Sequence, residues 1–376
     1  MAITALPPST PAQMKALQVT AFHQTYKLVT VPVPAVGPFD LLVKVAVASY
    51  CHTDSLVVAG IFGTKLPITA SHEGAGTVAA IGSQVTGFRP GDRVMCGIPI
   101  HPCGKCTDCV GPDEFRHYCL RADGHVGLHV DGCFAEYVLV DARFSTKLPD
   151  LVTFAAAAPL ACAGRTIWRG VKMADLAPGQ WLLLVGSGGG LGHIGVQFAK
   201  AMGYSVIGVD ARDEGLEMTK RAGADLVLDA RDGQDAVVAA IRQATAGEGA
   251  RATIMLSDAP GAVALGATAT RTHGTLIQIA APDGAVPFTE MGFRDIRVRS
   301  SLQCSPQEAR DMVSFMAELE RRGTNPVRVE TTAFSGLESI DALMRLVTSG
   351  QLMGKAVIVV DPAQIDEEER RLKAKD

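Results

Sequence analysis

Trp181-Leu182-Leu183-Leu184-Val185-Gly186-Ser187-Gly188-Gly189-Gly190-Leu191-Gly192 is the stretch that decides the fold of this chain. Its unbroken apolar start is what a parallel strand buried on both faces requires. The glycines that follow suit a tight turn whose backbone approaches a pyrophosphate. The helix they open offers unpaired N–H groups and the positive end of its dipole. Helical periodicity begins at once: in Leu191–Met202, Ile194, Val196, Phe198 and Ala199 supply the apolar face. Asp210 closes the next strand, 18 residues after Gly192. A carboxylate there accepts from a ribose 2′-hydroxyl and repels a 2′-phosphate, so the pattern favours NAD over NADP. Arg212, two residues on, softens that preference. A glycine turn serving strand–helix packing alone is the weaker interpretation, because strand and helix flank it on both sides.

Working outward, the chain downstream alternates strands and helices. Strands are expected at Val206–Val209, Leu226–Leu228, Thr253–Leu256, Thr275–Ile279 and Val298–Leu302, with helices at Gly215–Ala222 and Ala236–Gln243. This is the rhythm of a doubly wound domain. After Pro306 come helical patterns over Gln307–Arg321 and Leu337–Thr348, then a strand, Ala356–Val360, expected to return to the first domain. Upstream, residues 14–150 have another texture. Runs such as Met14–Phe22, Tyr26–Val33, Leu41–Val47, Gly76–Ile81 and Phe134–Val140 are broken by Val36-Gly37-Pro38 and Arg89-Pro90-Gly91-Asp92. They predict a twisted antiparallel barrel or sandwich.

The length of 376 residues suits two domains, or three small ones. With 47% hydrophobic and 20% charged residues, an intrinsically disordered chain is excluded. Lys+Arg 35 against Asp+Glu 39 leaves no basic footprint for nucleic acid. No stretch approaches the length of a membrane span, and the N-terminus lacks a basic region followed by an apolar one, so a cytoplasmic protein is expected. The first dozen residues, with Pro7, Pro8 and Pro11, are expected to form a loose arm. The charged end, residues 366–376, is expected to be a solvated or frayed helix.

An odd cysteine count, nine, cannot pair completely within one chain. Without a secretion signal, clustered cysteines point to metal or catalysis before disulfides. Cys103, Cys106 and Cys109, then Cys119 after nine residues, form a closed-site pattern: four thiolates fill a tetrahedral Zn²⁺ with no open position. His117 lies within the same reach and could replace Cys119. Cys51, His72 and Cys162 would supply the three ligands of a catalytic zinc, which keeps a fourth position open, but spacing alone does not establish this. Cys96, Cys133 and Cys304 are treated as ordinary buried thiols.

Taken together, Cys51-His52-Thr53-Asp54, His72-Glu73-Gly74-Ala75-Gly76, Gly87–Val94, the cysteine cluster, Leu160-Ala161-Cys162-Ala163-Gly164, Gly186–Gly192 and Gly354-Lys355 resemble the zinc-dependent medium-chain alcohol dehydrogenase family. The resemblance covers residues 14–362. It implies an α/β chain with a GroES-like, β-rich catalytic domain, 1–162 and 307–376, and a doubly wound Rossmann NAD-binding domain, 163–306. It implies two Zn²⁺ per chain: a catalytic one on Cys51, His72 and Cys162, with Glu73 beside it, and a structural one on Cys103, Cys106, Cys109 and Cys119. Asp54 would orient His72, and Thr53 would take the substrate's hydroxyl proton. His52 and Lys355 would meet the cofactor pyrophosphate, Gly186, Gly189, Gly190, Leu191, Gly192 and Asp210 would hold the dinucleotide, and Thr166 and Ile279 would also contact the cofactor. The substrate would be a small alcohol or aldehyde, and the assembly a homo-oligomer, a tetramer ahead of a dimer.

The chain departs from the family at several positions. Leu56 stands where many members place the His that ends the proton relay, so the proton needs another path, through the cofactor ribose and His52 or through water. Ser71 replaces a common Gly, Lys355 a common Arg, and the last cysteine gap is nine residues rather than the usual seven. Ile98 stands where ethanol-preferring members often carry Trp; with Ile61 and Phe62 it suggests a primary alcohol larger than ethanol. The alternatives are a secondary-alcohol, polyol or specialised-metabolite dehydrogenase of the same fold, or a zinc-stabilised binding protein without catalysis.

Overall fold

The structure, a computed structural model, describes residues 6–8, 10–281, 285–324 and 326–374; the start of the expected N-terminal arm and the last two residues of the charged end lie outside them. The chain divides into two compact bodies. The first comprises Met1–Cys162, Ser305–Ala317 and Thr331–Asp376, and the second Ala163–Cys304 and Glu318–Glu330. Residues 318–330 thus group with the second body, although they lie in the segment assigned above to the catalytic domain.

In the first body, strand Asp40–Ser49 is the centre. It pairs antiparallel with Glu73–Ile81, Tyr137–Asp141 and Lys355–Val359, and the last of these runs parallel to Thr331–Ser335. Its sequence is apolar almost throughout, and every residue but Lys44 is buried, as a strand covered on both faces must be. Leu17, Val43, Val45, Phe134, Val138 and Ile358 meet in its core. Ser305 and Glu308 start helix Pro306–Arg322 with reciprocal bonds, Ser305 N–H to Glu308 Oε2 at 2.9 Å and Glu308 N–H to Ser305 Oγ at 3.1 Å.

The charged end corrects an expectation. Pro362–Lys373 is a helix capped by Asp361, and it is not simply solvated. Glu368 is buried, pairs with Arg93 and accepts from the Phe154 N–H at 3.0 Å. The Arg93 guanidinium lies 4.5 Å from the centroid of the Phe154 ring, and Arg371 pairs with Asp150 at 2.7 Å. A count of charges cannot reveal this, because the partners come from distant strands and loops. Glu368→Ala leaves the Arg93 charge buried without its carboxylate. It is expected to lower stability by about 3 kcal/mol, measured as a fall in the urea midpoint at unchanged slope.

Among the described residues, the second body is built on six parallel strands. Their spatial order is Leu226–Asp229, Ser205–Asp210, Trp181–Val185, Ala250–Met255, Thr270–Gln278 and Arg297–Ser300. Numbered along the chain this is 3-2-1-4-5-6, the doubly wound order whose switch point lies beside the first strand. Leu182, Leu183, Leu184 and Val185 are buried, and the glycine turn follows directly into helix Gly192–Ala201. Among the described residues, no helix is long and apolar enough to cross a membrane.

Candidate metal and dinucleotide sites

The register of the central sheet brings the first cluster together. Ser49 pairs with Glu73 across antiparallel strands, so the residues just beyond those strand ends, Cys51 and His72, become neighbours. Cys51 caps helix His52–Val58 with extended backbone. Asp54, one turn in, accepts the Cys51 N–H at 2.8 Å through Oδ2 and faces His72 Nδ1 at 3.2 Å through Oδ1. An ionised carboxylate only accepts, so Nδ1 carries the hydrogen. Cys162 comes from Leu160–Gly164, a π-helical turn of the kind that widens a helix at functional sites. One ligand atom each from Cys51, His72, Glu73 and Cys162 lies within 4.8 Å of the others.

The charges in this cluster are mutually adjusted. The hydrogen bond from Cys162, with Lys355 and His72 nearby, holds Cys51 well below the usual thiol range against the effect of burial. That same bond, and burial, push Cys162 up. Burial pulls His72 down, but Asp54 and Cys51 outweigh it and raise the imidazole. Burial raises Glu73 to about 7 despite Lys355. Lys355, expected at the cofactor pyrophosphate, is buried with its ammonium 2.7 Å from Glu73 Oε2.

The cluster fits zinc. Among the described residues His72 Nε2 is buried and has no hydrogen-bond partner, while Nδ1 is held by Asp54 in the way metal-bound histidines require. Two sulfurs and one imidazole nitrogen make the ligand set of a catalytic zinc. Thr53 Oγ1 lies 3.8 Å from Cys51 Sγ, and His52 is exposed on the same helix. Ser71 has a left-handed backbone, φ 69°, which explains why glycine suits this position. Its hydroxyl compensates by donating to Ser49 O at 2.9 Å and accepting from the Glu73 N–H at 3.2 Å.

Cys103, Cys106, Cys109 and Cys119 form the second cluster. Their sulfurs lie 3.9 Å (103–109), 3.5 Å (106–109) and 3.7 Å (106–119) apart. Four sulfurs at about 2.3 Å from a tetrahedral ion would be roughly 3.8 Å apart, so the set fits zinc. The long gap is taken up by the 3₁₀ helix Asp113–Tyr118, which shortens the path and returns Cys119 to the other three. His117 is not part of this set; it stacks on Tyr118 at 4.1 Å between centroids. The Lys105 and Cys106 N–H groups donate to Cys103 and lower it to about 6, which favours the metal-ligating thiolate.

The second body carries a cleft of about 490 Å³ lined by Gly186, Gly189, Asp210, Arg212, Leu256 and Ser257 among others. Asp210 Oδ2 accepts from the Gly188 N–H at 3.0 Å, and Oδ1 from Ala211 at 2.9 Å and Arg212 at 3.1 Å. Gly188 has no space for a side chain, since a Cβ would lie 1.9 Å from Gly215 O. At Gly189 a Cβ would meet only Gly186 O, at 3.6 Å. The fold itself does not demand glycine there, whereas a ligand pressed against the turn does. Thr166 and Gly170 share a helix, and Ile279 packs where a Gly170 Cβ would be. Of the three residues expected to line a substrate pocket, Ile98 is buried at 1% exposure, while Ile61 at 65% and Phe62 at 37% are exposed. Sequence reasoning passed over His193 and Gln197, whose signal is two polar residues four apart on a helix whose one charged residue is Lys200.

A metal-binding, β-rich body and a separate doubly wound body together define a zinc-binding dehydrogenase. Residues 37–150 match the alcohol dehydrogenase GroES-like domain, and residues 190–318 the zinc-binding dehydrogenase family. The alcohol dehydrogenase of Rhizobium meliloti is 34% identical over 351 residues, covering 92% of this chain and 98% of its own. That of Geobacillus stearothermophilus is 32% identical over 354 residues, covering 93% and 100%. The crystal structure of the alcohol dehydrogenase from Aeropyrum pernix superposes with a TM-score of 0.81 at 30% identity, covering 92% of this chain and 99% of that one. The chain belongs to the zinc-type medium-chain alcohol dehydrogenase family and is an enzyme of alcohol oxidation and carbonyl reduction.

Proposed function

We propose that this enzyme oxidises a primary alcohol larger than ethanol, and reduces the matching aldehyde, with zinc and NAD. The observation that carries the proposal is the convergence of Cys51, His72, Glu73 and Cys162, with His72 Nε2 buried and without a hydrogen-bond partner among the described residues. When bound, zinc supplies Lewis-acid polarisation of the substrate oxygen, and NAD supplies the hydride acceptor. Cys51, His72 and Cys162 hold the metal, and Asp54 fixes the imidazole. Thr53, beside Cys51, accepts the proton of the substrate hydroxyl. Leu56 cannot relay it, so it leaves through the exposed His52 and water. Cys103, Cys106, Cys109 and Cys119 hold a second, structural zinc. Asp210 and the glycine turn hold the dinucleotide, with Thr166 and Ile279 towards its nicotinamide.

What supports NAD over NADP is the negative charge of Asp210 at the cleft. What supports a larger substrate is the lack of a large ring at position 98 and the exposed apolar surface of Ile61 and Phe62. A homo-oligomer, a tetramer ahead of a dimer, is supported by the edge strand Arg297–Ser300, exposed along its length, with Phe288, Phe293 and Leu302 exposed nearby. In a panel of alcohols and aldehydes with NAD(H) and NADP(H), kcat/KM for benzyl alcohol or a C6 alcohol should exceed that for ethanol by about tenfold or more. A strong ethanol preference would sink the size assignment, and a secondary alcohol as best substrate would replace it.

A further inference from the structure

Helix Gly192–Ala201, which follows the glycine turn, carries His193 and Gln197 one turn apart on one face. His193 is 1% exposed. Its Nδ1 bonds Gly189 O at 2.9 Å, and its Nε2 accepts the Glu330 N–H at 3.2 Å. Gln197 donates to Arg328 O at 2.8 Å and to His193 O at 2.9 Å, and accepts the Arg328 N–H at 2.7 Å. Residues 326–330 belong to no helix or strand. Two side chains therefore grip the backbone of alternate residues there, as a neighbouring strand would. Beyond Glu330 the chain leaves the second body. One imidazole thus bonds both a carbonyl of the glycine turn and the amide at which the chain departs.

We propose that His193 and Gln197 are positioning residues for the dinucleotide, fastening the glycine turn to segment 326–330 so that occupancy of the turn and order of the segment are coupled. The proposal rests on assigning the dinucleotide to that turn. Gly189 O is held from one side by His193, which fixes the peptide planes of a turn that must lie against a pyrophosphate. A link between two sites works in both directions, so a ligand on the turn tightens the segment, and loosening the segment weakens the ligand.

The test compares the full-length zinc-loaded enzyme with His193→Leu, Gln197→Met and His193→Gln, reading NADH affinity by fluorescence titration and amide hydrogen exchange at 326–331. In the wild type, NADH should slow exchange at Arg328 and Glu330. His193→Leu should speed exchange at Glu330 and raise the NADH Kd about tenfold, the worth of two hydrogen bonds. KM for NAD should rise by more than kcat falls. Gln197→Met should act at Arg328 with a smaller loss of affinity, and His193→Gln, which can still donate and accept, should restore part of both. Should His193→Leu not fold, the Gln197→Met pair of readouts decides. Wild-type binding of NADH with variant Kd values within twofold would overturn the coupling alone. A wild type that binds neither NADH nor NADPH would overturn the dinucleotide assignment and the coupling with it.

Discussion

Cys162→Ser is expected to bring zinc from about two ions per chain to about one and to lower kcat by at least about a thousandfold, while leaving the fold intact. Zinc takes thiolate, and a serine hydroxyl stays protonated at neutral pH. The variant loses a soft anionic ligand, not only a sulfur atom. Charge decides the size of the effect. With Glu73 neutralised by Lys355 at 2.7 Å, two thiolates balance a divalent ion and one does not. An uncompensated charge at a buried site costs several kcal/mol, so the metal leaves. The fold survives because Cys162 is only half-buried, and the turn that carries it is held by backbone bonds. The four-cysteine cluster keeps its own ion, so elemental analysis reads the loss of one site. Two zincs per chain, or an unchanged kcat, would remove Cys162 from the ligand set.

The legible parts of this chain are those where chemistry is written into adjacent residues. The glycine turn after an apolar run, and Asp210 at the end of the next strand, point to a dinucleotide because the residues that would meet it lie close together in the sequence. Cys103, Cys106 and Cys109 signal a closed metal site for the same reason. Spacing said less about Cys51, His72 and Cys162, since only the register Ser49↔Glu73 and a π-helical turn gather them. What stayed hidden depends on partners far along the chain. Lys355 meets Glu73, Glu368 meets Arg93, and His193 and Gln197 hold backbone 131 or more residues away. A sequence window shows each as a charge or a polar residue but not what it faces. The nine-residue cysteine gap belongs here too, because only helical winding at Asp113–Tyr118 makes it short.

Asp210→Ala is expected to lower kcat/KM with NAD, raise it with NADP, and shift their ratio by about 10² to 10³. The carboxylate has two roles that the substitution removes together. It offers the cofactor ribose a charged acceptor, worth about 1.5–3 kcal/mol, or roughly 10- to 100-fold in affinity. It also repels a 2′-phosphate, and loss of that repulsion accounts for the remainder. The gain with NADP is reinforced from the protein side. Asp210 accepts the N–H groups of Gly188, Ala211 and Arg212, and the Arg212 Nε lies 3.6 Å from Oδ1. Without the carboxylate, three N–H donors and a guanidinium face the cleft, and a phosphate suits them. The same bonds hold the turn in shape, so alanine also loosens it. Asp210→Asn separates the two effects: it keeps an acceptor for the amides and removes the charge. It should shift the ratio less than alanine does and lose less activity with NAD. The measurement is kcat/KM for both cofactors with one alcohol across the three proteins. An unchanged ratio in Asp210→Ala would show that another residue selects the cofactor. A shift confined to alanine would mean that the tethered turn, rather than the charge, makes the choice.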